Sequence, residues 1–127
     1  MSRWAESVEA LCGLFGLSGI TLNAKGCVAL QLESGRRVAF ETKQDELLVY
    51  ASEPVPYDWS ERLMKAWARS HFMQLRGGRP VQAALREQSG ITRLLVVARM
   101  HPREHSPQDL RAAVEYLLRW LDATRSN

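Results

Sequence analysis

The sequence predicts a single α+β domain of order α-βββ-α-ββ-α, a twisted antiparallel sheet with helices packed on one face. Three observations lead there. Short apolar runs with two-residue alternation, punctuated by turn residues, occupy residues 27–51 and 81–100. Stretches with three- or four-residue apolar spacing lie before, between and after them. The 127 residues contain no repeat, low-complexity tract or linker, so they form one domain, 1–127.

Trp4 to Phe15 reads as the first helix. Trp4, Val8, Leu11 and Phe15 share one side with Leu14 next to them, Glu6 and Glu9 face out, and Ser2 is placed to cap it. Gly13, Gly16 and Gly19 then end the helix. They do not make a phosphate loop, since no strand precedes them and no Lys-Ser/Thr pair follows. Asn23-Ala24-Lys25-Gly26 is a turn, with Ile20 and Leu22 in a short extended arm before it.

Cys27 to Glu33 alternates, placing Val28, Leu30 and Leu32 on one face. After the Ser34-Gly35 turn, Val38 and Phe40 alternate with Arg37, Ala39 and Glu41. Lys43-Gln44-Asp45 turns again into a third strand, Leu47 to Ala51. Pro54 and Pro56 break the pattern. Asp58 or Ser60 caps a middle helix running to about Leu75, closed by Gly77-Gly78. Val81 to Glu87 forms a strand, and Ser89-Gly90 turns into Thr92–Met100, the most apolar run in the chain. There Leu94, Val96, Ala98 and Met100 point one way and Leu95 and Val97 the other, so both faces need a cover. Beyond a polar loop at 101–105, Ser106-Pro107-Gln108-Asp109 starts a final helix to about Thr124. Its buried stripe is Leu110, Val114, Leu117 and Leu121; Arg111, Glu115 and Arg119 form a solvated face.

Composition narrows the function. With 46% hydrophobic and 24% charged residues the chain is globular, and no apolar run approaches the roughly 20 residues that span a bilayer. The N-terminus lacks the apolar core of a signal peptide, which predicts a cytoplasmic protein. Cys12 and Cys27 lack a CxxC spacing and read as reduced, small buried side chains rather than nucleophiles. His101 and His105 have Pro102 between them and no third ligand; His71 borders the middle helix, so no metal is expected. No catalytic or nucleotide motif is present, no cofactor is called for, and each carboxylate reads as a cap or a solvent-face residue. The net charge of +3 comes from scattered Arg with only Lys25, Lys43 and Lys65 beside them. A small basic nucleic-acid-binding or regulatory interaction module is therefore the alternative class.

One surplus stands out. Trp4 and Trp120 can fill a core, but Trp59, Met64, Trp67 and Phe72 crowd one middle helix, with Leu63 in the same stripe. That helix and the second face of the Thr92–Met100 strand call for a partner, and self-association is expected.

The chain also resembles a family. Leu14-Phe15-Gly16-Leu17 ending a first helix, then Ile20-Thr21-Leu22-Asn23-Ala24-Lys25-Gly26 and Val28-Ala29-Leu30, looks like the opening of class I type III secretion chaperones (the Tir-chaperone family). The likeness continues through Asp45-Glu46-Leu47-Leu48-Val49-Tyr50, the long helix and Gly77-Gly78, and covers residues 3 to 123. It departs in charge: the family is mostly acidic, and this chain has a pI near 9.2. The resemblance implies a non-enzymatic homodimer of the bacterial cytoplasm that binds the N-terminal segment of a secreted effector in extended form. It places the dimer interface on the middle helix and second hairpin, at Trp59, Leu63, Met64, Trp67, Phe72, Leu95 and Val97. It places client pockets near the first helix and meander, with Leu11, Phe15, Leu17, Ile20, Leu22, Val28, Leu30 and Phe40 as candidates, several of them shared with the core. A strand added to an exposed edge would supply backbone pairing there.

Overall fold

A computed structural model describes residues 8–10, 27–32, 34–43, 46–76, 79–101, 103–104 and 106–125. Its elements are a helical piece α1 at residues 8–10, then β1 (Cys27–Gln31), β2 (Arg37–Lys43), β3 (Glu46–Pro54), α2 (Trp59–Leu75), β4 (Val81–Gln88), β5 (Ile91–Met100) and α3 (Pro107–Arg125). The expected order is present.

The five strands form one antiparallel sheet in the order β1-β2-β3-β5-β4. The most apolar strand, β5, sits between β3 and β4, so neighbours pair with both of its edges. Ser89 and Gly90 have φ of 54° and 78°, the paired positive angles of a tight hairpin turn between β4 and β5. β3 extends to Pro54, beyond the expected Ala51, because β5 is long enough to pair it through Pro54 with Arg93.

Register fixes two faces. Val38, Phe40, Leu47, Val49, Ala51, Leu94, Val96, Ala98 and Met100 are buried on one of them. Helix α3 closes that face with Leu110, Ala113, Val114, Leu117, Trp120 and Leu121, and Val8 of α1 joins the same core. Each large apolar side chain so buried contributes about 1.5–3 kcal/mol. The start of α3 is a reciprocal capping box: Asp109 N donates to Ser106 Oγ at 3.0 Å and Ser106 N to Asp109 Oδ2 at 3.4 Å. Arg111 and Glu115 pair at 3.0 Å on its solvent side.

The covered face also holds a charge. Glu53 is 1% exposed, at the inward position that follows Leu47, Val49 and Ala51 along β3. Arg125 clasps it with two bonds of 2.9 Å, Arg36 Nε donates at 2.7 Å, and Arg62 Nη2 lies 2.5 Å away. Arg62 also donates to Thr124 Oγ1 at 2.6 Å, and Arg36 to Asp122 at 2.5 Å. Burial alone would push the Glu53 carboxyl up, but hydrogen bonds from Arg125, Arg36 and Arg62 outweigh it and hold the carboxyl below its ordinary value. Glu53 thus corrects the expectation that every carboxylate serves a cap or a solvent face. It ties β3, α2, α3 and the β1–β2 turn together.

Candidate interaction surface

Helix α2 begins at Trp59, with Arg62 N bonded to Asp58 O at 3.0 Å, so Asp58 takes the cap position. It packs inward through a narrow stripe. Ala66 is fully buried, Arg62 is nearly so, and Leu63 and Met73 rest half-buried against the core. Met64, Trp67, Ala68, His71, Phe72 and Leu75, at three- and four-residue spacings, are left on the exposed side. Met64 is 67% exposed, Trp67 54%, Phe72 51% and Trp59 48%. Large apolar side chains at that exposure and density are unusual for an ordinary solvent face.

Two polar bonds hold this helix against the sheet edge. Trp67 Nε1 donates to Ala83 O at 3.0 Å, and Ser70 Oγ to Val81 O at 2.6 Å. Both carbonyls belong to the edge strand β4, so α2 occupies part of the backbone that another strand would otherwise pair with. The same bond fixes the Trp67 indole while leaving half of it exposed, a rigid aromatic anchor. Close by, Arg79 pairs with Glu104 and donates to Arg99 O at 2.8 Å, locking the segment before β4 to the loop after β5. The Arg79 hydrogen bond, against some burial, holds the Glu104 carboxyl low. The sequence reading of 101–105 as a polar loop carried no hint of this pair.

No described helix packs on the second face of the sheet. Its rows, read across the strands, are Cys27–Glu41–Leu48–Arg99, Ala29–Ala39–Tyr50–Val97–Gln82 and Gln31–Arg37–Ser52–Leu95–Ala84. The centre is apolar, with Leu48, Tyr50, Leu95 and Val97 half-buried by one another. Tyr50 Oη approaches Glu41 at 3.4 Å; burial first, then Glu41, pushes the phenol up. A cleft of about 640 Å³ runs around β4 from Trp67, Ser70 and His71 to Pro80, Gln82, Ala84 and Val97. A second, of about 470 Å³, shares Pro80, Gln82 and Val97 with it and continues to Leu48, Tyr50 and Arg99. The exposed stripe of α2 and the open sheet face are therefore joined around β4 by two clefts of mixed apolar and polar lining that share Pro80, Gln82 and Val97.

Among the expected interface residues, Met64, Trp67 and Phe72 lie on this exposed stripe, Trp59 is half-exposed at the start of the helix away from it, and Leu95 and Val97 are on the open face. Leu63 faces inward and serves the core. Of the expected client pockets, Phe40 is fully buried, Leu30 nearly so, and Val28 packs against the same core. Those three contribute to the fold first. Leu11, Phe15, Leu17, Ile20 and Leu22 lie outside the described residues, as do Trp4, Cys12 and His105. The outer edge of β1 pairs with no described strand. Among the described residues, no group of three His, Cys, Asp or Glu is arranged to hold a metal. No helix among them is long and apolar enough to cross a membrane.

The architecture has known counterparts. The SycH chaperone of Yersinia pestis, solved with a stable fragment of YscM2, superposes with a TM-score of 0.68 at 17% identity over 95% of this chain and 98% of that one. The HopA1–SchA chaperone–effector complex gives 0.70 at 14% identity over 94% and 91%. This is the type III secretion chaperone fold. The ExsC–ExsE complex matches it too, with 0.67 at 17% identity over 95% and 92%. A more distant likeness, 0.55 at 12% identity over 94% and 86%, is to YbjN of E. coli, a putative transcription regulator. No protein-family model matches the sequence, and no curated protein matches it significantly. At these identities the chaperone fold is established by shape, with side chains largely its own.

Proposed function

We propose that this chain is a non-enzymatic export chaperone of a type III secretion system. It binds the N-terminal segment of a secreted effector in extended form, in the bacterial cytoplasm, and keeps that segment soluble and competent for export. It works as a homodimer whose subunits meet through the exposed stripe of α2 and the β4–β5 hairpin. The observation that carries this reading is the joined surface of exposed Trp67 and half-buried Val97 and Tyr50 around β4, on a fold shared over nearly the whole chain with secretion chaperones solved in complex with their partners. A surface of that extent suits a second copy of the chain, while an extended client segment can pair its backbone with the outer edge of β1, which no described strand occupies, and set alternate side chains into pockets beside it.

Co-expression with the products of neighbouring reading frames tests it. One of those products should become soluble and co-purify with this chain, and truncation should map the contact to its N-terminal segment. If every secreted candidate stays insoluble or elutes alone, the reading fails.

A further inference from the structure

One ionisable side chain stands inside the surface that α2 and β4 share. His71 is exposed on α2, four residues past Trp67 and next to Phe72, and it lines the cleft of about 640 Å³ between that helix and β4. The other lining residues, Trp67, Ser70, Pro80 and Val97 with Val81 to Ala84 of β4, carry no charge at any ordinary pH.

The charged groups around the cleft sit apart from it. On α2, Lys65 pairs with Glu61 at 3.7 Å, Arg69 lies over the Trp120 ring at 5.3 Å and Arg76 over the Phe72 ring at 4.9 Å. Ahead of β4, Arg79 pairs with Glu104, and across the sheet Arg99 lies 3.8 Å from Glu46. Arg86 and Glu87 stand at the turn end of β4, beyond Ala84. His101 is in the loop after β5, where its backbone N–H donates to Glu104 at 3.0 Å. The Gln74 side chain and Gly77-Gly78 lie outside the described residues and are neutral by sequence. No described carboxylate lines the cleft to hold an imidazolium.

We propose that self-association of this chain is gated by protonation of His71: a second copy closes over the cleft when the imidazole is neutral, and acid separates the subunits. The inference rests on the dimer reading above and names its regulation. A second copy presents the same stripe, with Met64, Trp67 and Phe72 exposed, so closing the cleft replaces water around His71 with largely apolar surface. Burial disfavours the charged form, and no lining group offsets that cost. The contribution is full above the ordinary histidine value of about 6.5 and is lost as pH falls below it. A twofold dimer covers two such clefts. About one pH unit below its ordinary value a histidine is roughly nine-tenths protonated, so admitting the neutral form alone costs about tenfold per subunit and about a hundredfold per dimer.

Analytical ultracentrifugation of the full chain at about pH 7.5 and about pH 5.5 tests this, with circular dichroism to follow the fold at both. The dimer Kd of the parent should rise about a hundredfold at the lower pH. His71→Gln, neutral at both, should remain a dimer with a change of less than about threefold, and His71→Lys, charged at both, should be a single subunit throughout. A parent Kd that does not move overturns the inference while the dimer reading stands. An equal rise in His71→Gln also overturns it, because the sensitive group then lies elsewhere. A His71→Lys chain that dimerises as well as the parent overturns it as well, since the cleft would then admit a charge. A parent that is a single subunit at both pH values removes this inference and the dimer together, and co-expression still judges client binding.

Discussion

The two faces of the sheet handle charge and apolar surface in opposite ways. On the covered face, Glu53 is enclosed by Arg36, Arg62 and Arg125, and the apolar side chains are closed over by α3. One residue earlier along β3, Ser52 faces the other way and helps to hold Arg93, a buried cation that bonds no carboxylate among the described residues. The apolar centre of that second face is half-buried, and the exposed stripe of α2 continues it. A fold that pairs its charges on one side can do so on the other. We read the first face as serving the subunit and the second as serving partners.

The comparison breaks most readily at Glu53. Glu53→Gln removes the charge that three arginines share and leaves buried guanidinium groups without an anion. Urea unfolding should show a loss of about 3–5 kcal/mol, the usual cost of breaking a buried pair. A loss no larger than that of an exposed substitution would mean that the covered face is not held by this hub. Acid should act through the same group. Because the folded-state pKa of Glu53 is lowered, its contribution is full above the ordinary carboxyl value of 4.5 and is lost as pH falls through the folded value. Glu104, lowered by Arg79, adds to the trend. Thermal melts should thus be flat in mildly acidic buffer and decline below about pH 4.5. A smaller effect is expected at the α3 cap, where Ser106→Ala should cost about 1 kcal/mol in the same unfolding assay. Smallest of all, Arg37→Gln on the open face should leave unfolding within about 0.5 kcal/mol of the parent, because Arg37 is exposed and among the described residues bonds only the neutral Gln31 side chain. A large loss there would erase the distinction between the faces.

Much of this architecture was legible in the residues. The alternation of Leu94, Val96, Ala98 and Met100 against Leu95 and Val97 set both faces of β5, and Ser106-Pro107-Gln108-Asp109 marked its helix start to the residue. The surplus of Met64, Trp67 and Phe72 pointed to the exposed stripe, because a helix has room for one buried face only, whereas Trp59 stands apart from it at the helix start. What stayed hidden were pairings between residues distant in sequence. Glu53 meets Arg125 across 72 positions and Arg93 meets Gly35 across 58, and nothing local encodes either contact. A parity signal existed for Glu53, which continues the inward series Leu47, Val49, Ala51 and so had to find a cation. Leu30 and Phe40 show the converse. Apolar alternation placed them on a face, but it could not tell core from pocket, and both are buried.

Light scattering on the purified chain tests the central claim most directly, that the exposed stripe of α2 and the open face exist for a partner. The chain should have twice its 14.4 kDa mass in solution, and Trp67→Glu, which sets a charge on the stripe, should return it to a single subunit or drive aggregation. A parent chain that stays a stable, monodisperse monomer would contradict the account.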